Sequence, residues 1–209
     1  MRDDPTLSQL IARLSDPIPG PSIGATAALC GAIAAAMLAD TCGNALETSR
    51  SEKASEELGQ IRDRALSLRR DLLALVEHGA QAEQGVEAFR MAPAAAAAGR
   101  SASADRLRAL LFASEVPLRT AESCHALLNL ALRTLGRAGI RAIAQVGTVA
   151  ALAFAGVVGG ILAARTFLAG IPSGSGIGAE ATRRRAERIF REAEAIRTQI
   201  IDRVRQHLP

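Results

Sequence analysis

The sequence predicts an all-α protein, a bundle of about five or six long helices with two buried Ala-rich helices at its centre. Three observations predict it. Apolar residues recur at steps of three and four through long stretches. Two further segments are apolar on every side, as helices surrounded by other helices are. No stretch alternates with period two between hairpin turns, so no strand is expected.

The first central helix is expected over about Gly24–Ala39, behind the Pro/Gly-rich stretch PIPGPSIGAT from Pro17 to Thr26. An amphipathic surface helix follows, with Leu58, Ile61, Ala65, Leu68, Leu72 and Leu75 on one stripe and Arg62, Asp63, Arg69 and Arg70 opposite. Ala92 to Ser103 holds Pro93, an alanine run and Gly99, and reads as a mobile connection or a helical turn. Next comes a leucine-rich helical region, Leu107 to Leu132, in which Pro117 removes a backbone donor and is expected to kink or divide the helix. The second central helix spans Ala142–Ala169. Ile189, Ala193, Ile196, Ile200 and Val204, set among arginines, then mark a last amphipathic helix. The remaining breaks are expected at 16–22, 136–139 and 171–178.

A length of 209 residues with 49% hydrophobic content suits one domain, residues 1–209. Aromatics are only 2% of the chain, so the core must be built from Ala, Leu, Ile and Val, whose small volumes let backbones approach closely. The net charge of +4 is almost all guanidinium, since Lys53 is the sole lysine. Nucleic-acid binding is not expected, because five scattered Phe supply no stacking platform among clustered basic residues. Cys30, Cys42 and Cys124 lack disulfide or zinc spacing and read as reduced core residues of a cytoplasmic protein, with no metal site. Met1 to Pro5 opens no secretory signal. Residues 142–164 carry no charge and are long enough to span a bilayer, but their Ala/Gly content, Gln145 and Thr148 favour a buried helix over a membrane one.

Chemistry is sparse. The loop before the first helix could hold an anion on free backbone N–H groups, helped by the Ser22 or Thr26 hydroxyl and by Gly24. Its plainer reading is a capped helix start with Ser22 as N-cap. The second glycine stretch, SGSGIGAE from Ser173, follows no strand and is no dinucleotide fingerprint. Glu77, His78, Gln81 and Glu83 could set an acid, a base and an amide along one side of a helix, or could simply be solvated. Cys124 and His125 are sequence neighbours that point about 100° apart, so they read as packing residues and not as a nucleophile and base. His207 reads as terminal and exposed.

Four segments in order resemble the formiminotetrahydrofolate cyclodeaminase and methenyltetrahydrofolate cyclohydrolase family: PGPSIGATAALCGAIAAAML from Pro19, LRRDLLALVEHGAQA from Leu68, SEVPLRTAESC from Ser114 and GIRAIAQVGTVAALAFAGVVGG from Gly139. The likeness covers most of the chain. It implies an all-helical fold acting on one-carbon units of tetrahydrofolate, without a required cofactor, as a homodimer, with a reduced folate as ligand. It also exposes departures. The family's glycine loop, similar to Pro-Gly-Gly-Gly-Ser, corresponds to Pro21, Ser22, Ile23, Gly24 and Ala25. Its acidic residue and following aromatic correspond to Gly79 and Glu83, its Ser-Asp pair to Gln145 and Val146, and its late asparagines to Ala163 and Phe167. Its lysine cluster has no counterpart beyond Lys53.

Opening or hydrolysing a methenyl or formimino group needs a positioned acid or base, which typically contributes about 10²- to 10⁴-fold. The expectation is therefore a divergent member, a pseudoenzyme of one-carbon metabolism with lost or weakened catalysis, acting as a ligand binder or as the partner of an active relative. The ligand-binding candidates are Ser22, Gly24, Thr26 and Gln145. The alternative is an active cyclohydrolase or cyclodeaminase, a hydrolase of cyclic amidines or an ammonia lyase, that has relocated its acid and base to His78 and Glu83. A membrane-associated helical protein is the remaining alternative.

Overall fold

The computed structural model describes residues 6, 8–9, 12, 22–91, 100–137, 140–172 and 177–207, with side chains 80, 82–91, 100–103, 140–141 and 177 excepted. Among the described residues there are five long helices and no strand. We number them α1 (Ile23–Thr48), α2 (Glu52–Met91), α3 (Arg100–Thr134), α4 (Ile140–Ala169) and α5 (Ile177–His207).

Helix α3 is the hub, packing on all four others. Helix α1 packs on α2, α3 and α4, and α4 on α1, α3 and α5. Thus α2 lies along the α1–α3 groove, α5 lies along the α3–α4 groove, and α1, α4 and α5 form one side of the bundle with α4 in the middle. Both expected Ala-rich helices contribute to the core: α1 supplies Ala28, Ala34, Ala35, Leu38 and Cys42, and α4 supplies Val146, Val149, Ala153, Val157 and Ala164. The outer stripes of α2 and α5 bury Leu58, Ile61, Leu68 and Leu72, and Ile189, Ala193 and Ile200, the residues whose periodicity marks them.

Close approach of α1, α3 and α4 follows from glycine. A Cβ on Gly160 would stand 2.6 Å from the Pro117 carbonyl and 3.0 Å from the Ala121 nitrogen. Cβ atoms on Gly31 of α1 and Gly156 of α4 would each stand 2.5 Å from Cys124 Sγ of α3. One thiol therefore fills the junction of three helices.

Two sequence expectations need correction. Of the two outcomes expected at Pro117, a kink or a division, the division does not occur: α3 runs unbroken from Arg100 to Thr134. The missing N–H forfeits one helical bond, a loss of about 3 kcal/mol in an unsupported helix. Burial of Leu118, Ala121, Cys124, Leu127 and Leu128 just beyond it offsets that loss. Second, α1 continues past Ala39 to Thr48 and turns into α2 at Ser49–Ser51, a break the sequence reading did not place. Ser51 Oγ accepts the Ala54 N–H at 3.4 Å and so caps the new helix. The stretches 13–21, 92–99, 138–139 and 173–176, which include most of the expected loops, lie outside the described residues.

Arginine fastens α5. Arg185 donates from Nε and Nη2 to both oxygens of Glu122, at 2.6 Å each, and from Nη1 to Glu115 at 2.9 Å, joining α5 to α3. Arg183 Nη2 donates to the Leu168 and Ile171 carbonyls at 3.0 and 2.9 Å, satisfying acceptors left over at the end of α4.

Burial pushes the Cys124 thiol far above its ordinary value of 9.0, and raises Cys42 against smaller opposing effects of the Thr134 hydroxyl and Arg62. Below that value folded and unfolded chains both keep these thiols protonated. Above it the unfolded chain ionises while the fold does not, so stability should fall as the pH climbs from about 9.0. Urea midpoints measured from about pH 8 to about pH 10 should decline, and should decline less in Cys42→Ala/Cys124→Ala. An equal slope in the variant would assign the alkaline loss to other groups.

Candidate functional site

Ser22 is the N-cap of α1: its Oγ accepts the Ala25 N–H at 3.0 Å, and its carbonyl accepts the Thr26 N–H at 2.9 Å. The plainer reading of this loop is thus realised in the structure. One of the free N–H groups that an anion would use is already satisfied by the chain itself.

Around this helix start lies a small cavity lined by Ser22, Gly24, Leu75, Gly79, Ala113, Val116, Pro117, Thr120, Ala163 and Phe167. Four helices, α1 to α4, contribute to it. Gly24 is buried, and a Cβ there would already touch Pro117 and Ala163 at 3.5 and 3.7 Å. Gly79 presents bare backbone to the cap, since a Cβ would lie 3.5 Å from Ser22 Oγ and 3.7 Å from the Ala25 nitrogen. From α3, Pro117 lies beside Thr120, whose hydroxyl donates to the Val116 carbonyl at 3.5 Å. Helix α4 closes the cavity with Ala163 and Phe167.

The lining contains no ionisable group. Its interior is about 10 Å³, on the order of one water, whereas pockets for small ligands run to roughly 300–1,000 Å³. Phe167 also packs against the separate apolar cluster of Leu110, Leu168, Ile171 and Ala179. That cluster borders a wider cleft of about 470 Å³ between the start of α3 and the end of α4, lined by Ala104, Arg106, Leu107, Leu110, Gly170, Ile171 and Pro172. Phe167 thus lines the helix-start cavity and packs on the cluster that supplies Leu110 and Ile171 to this cleft.

The expected site residues do not all meet. Ser22 and Gly24 line the cavity, and Thr26 is half-buried one turn further along α1. His78 is exposed on α2, beside the buried Gly79 but outside the lining. Glu83 belongs to α2, and its side chain lies outside the described residues. Gln145 is far away: its Oε1 accepts the Thr41 hydroxyl at 3.4 Å, about 25 Å along α1 from Gly24 at 1.5 Å per residue. Sequence reasoning missed Thr120, Leu75 and Val116, and treated Pro117 only as a helix breaker. Polar residues flanking a mid-helix proline were the one available signal.

His125 is half-buried at the α3–α5 surface, with Asn129 Nδ2 at 3.3 Å and Glu192 at 3.8 Å. His125 thus packs at this surface beside Asn129 and Glu192, while Cys124 is fully buried. His207 is exposed.

Comparison with known proteins agrees with this helical frame. The chain is 24% identical over 158 residues to a methenyltetrahydrofolate cyclohydrolase of Methylorubrum extorquens, covering 75% of this chain and 76% of the relative. Its fold is similar to that of the formiminotetrahydrofolate cyclodeaminase of Thermotoga maritima, with a TM-score of 0.79 over 98% of this chain and 96% of the other at 18% identity. The family described as formiminotransferase-cyclodeaminase matches residues 6–173. By that match, over most of its length, the chain belongs to the formiminotransferase-cyclodeaminase family.

Proposed function

We propose that this family member has lost or strongly weakened the chemistry of cyclodeaminases and cyclohydrolases, and that it serves as a reduced-folate binder or as the partner subunit of an active relative. The observation that carries the reading is the cavity at the start of α1, whose lining offers two hydroxyls and no group able to donate or take a proton near neutral pH. Gly79, where the family resemblance sets an acid, leaves bare backbone against the Ser22 cap. Ala163 and Phe167, where it sets asparagines, fill space with hydrocarbon.

Size separates the two roles. A pterin or aminobenzoyl group is far larger than the interior, so a folate at this place must displace lining side chains such as Phe167. Thermal melts with reduced folates test this, because a ligand at 100 times its dissociation constant adds about 2.7 kcal/mol of stability. A shift supports the binder, and its absence supports the partner subunit. Ammonia release from formiminotetrahydrofolate is expected to match buffer. A rate above buffer that vanishes in Glu83→Ala or His78→Ala would replace the proposal with the relocated acid–base reading.

A further inference from the structure

The cleft between the start of α3 and the end of α4 has room for a small molecule, which the helix-start cavity lacks. Its volume of about 470 Å³ falls inside the roughly 300–1,000 Å³ of ligand pockets. We infer that it binds a medium-chain monocarboxylate, with the carboxylate on Arg106 and the hydrocarbon tail against Leu107, Leu110 and Ile171. The cleft shares no lining residue with the helix-start cavity, so this site is independent of whether that cavity takes a folate.

The apolar walls come from the small cluster that packs apart from the main core. Leu110 and Ile171 are buried in it, and Leu107 is half-buried at its edge. The wall on the α4 side is fixed by the chain itself. The Gly170 and Ile171 N–H groups donate to the Phe167 and Leu168 carbonyls, at 3.1 Å each, and close the last turn of α4. Arg183 then holds the Leu168 and Ile171 carbonyls from α5. Gly170 lets this turn lie on α3, since a Cβ there would stand 3.2 Å from Leu110 Cδ1. A preformed apolar wall costs an incoming ligand little ordering.

Charge selects the sign of the ligand. The carbonyls at the end of α4 would favour a cation, but Arg183 already occupies two of them. Asp105, next to the lining residue Ala104, lies 3.6 Å from Arg108, and Glu180, next to Ala179 of the cluster, lies 3.4 Å from Arg183. Arg106 lines the cleft, is exposed, and has no acid within ion-pair distance among the described residues. One unneutralised guanidinium at the edge of a hydrocarbon surface matches one carboxylate at the end of a hydrocarbon chain.

Size and charge count narrow the class further. At roughly 30 Å³ for each water-sized group the cleft takes about fifteen non-hydrogen atoms, which suits a chain of about ten carbons. A nucleotide carries several negative charges, whereas Arg106 is the one charged group among the described lining residues.

Isothermal titration of the full chain with decanoate, below its micellar concentration, is expected to show one saturable site. Lengthening the tail from octanoate to decanoate should tighten binding about two- to fourfold per methylene. Decyltrimethylammonium, with the same tail and the opposite charge, should not bind. Arg106→Ala is expected to weaken decanoate up to about fivefold, and Arg106→Glu further. Both change an exposed side chain, so the helical circular dichroism should be retained. Leu107→Glu, at the edge of the small cluster and outside the main core, should abolish saturation. Arg119→Glu, an exposed arginine further along α3, should leave the affinity unchanged. Failure of decanoate to saturate the wild type would overturn the inference. So would an affinity left unchanged by Arg106→Glu or by Leu107→Glu, or a cationic tail bound as tightly as decanoate.

Discussion

Replacing Gly160 by alanine is expected to destabilise the bundle by about 1–3 kcal/mol, whereas the same substitution at Gly59 should stabilise it by about 0.5–1 kcal/mol. Alanine outranks glycine as a helix former at both positions, so intrinsic propensity pushes both changes in the same direction. Space decides the sign. At Gly160 the new methyl would stand 2.6 Å from the Pro117 carbonyl and 3.0 Å from the Ala121 nitrogen, which are backbone atoms of α3 that no rotamer change can move. At Gly59 nothing lies within 4 Å. For a chain of this size each kcal/mol shifts the melting temperature by roughly 2–4 °C, so paired melts should move in opposite directions. Two shifts of the same sign would show that α4 does not approach α3 as closely as described.

Gly31→Ala is expected to cost about 1–3 kcal/mol, because its methyl would stand 2.5 Å from Cys124 Sγ and 3.1 Å from both methyls of Leu72. Here the obstruction is a side chain and can be removed. In a Gly31→Ala background, Cys124→Ala should be less harmful than in the wild type, with a coupling of about 1–2 kcal/mol between the two sites. Cys124→Ala alone removes a fully buried thiol and leaves a small cavity, so it should be destabilising. Strict additivity of the three melts would mean that the thiol does not fill the junction of α1, α3 and α4.

Much of this architecture is legible in the sequence. The stripes Leu58 to Leu75 and Ile189 to Val204 fix the outer helices, because a 3.6-residue period leaves little choice of buried side. The Ala-rich segments mark the two other core helices, and the ordered family segments set the fold, which the family match over residues 6–173 supports. Where the reading failed, a local rule was overruled by tertiary packing. Pro117 loses one hydrogen bond, but the same helix buries Leu118 to Leu128 against its neighbours. The turn at Ser49–Ser51 has neither glycine nor proline to announce it.

The site was legible in half. The Ser22 cap and the tight Gly24 contact can be argued from residue types alone. That Gln145 meets Thr41 and not Gly24 depends on how α1 and α4 lie against each other. Their antiparallel alignment places Gly159 beside Ala27 and Gln145 beside Thr41, and periodicity within one helix carries no information about it.

Retention of a one-carbon scaffold without the groups that would move protons is the claim on which the functional account turns. Mixing purified wild-type protein with methenyltetrahydrofolate and following the decay of its near-ultraviolet absorbance tests this directly. The predicted trace is superimposable on buffer alone at any protein concentration. A decay rate that rises in proportion to added protein would contradict the account and return the chain to the working cyclohydrolases.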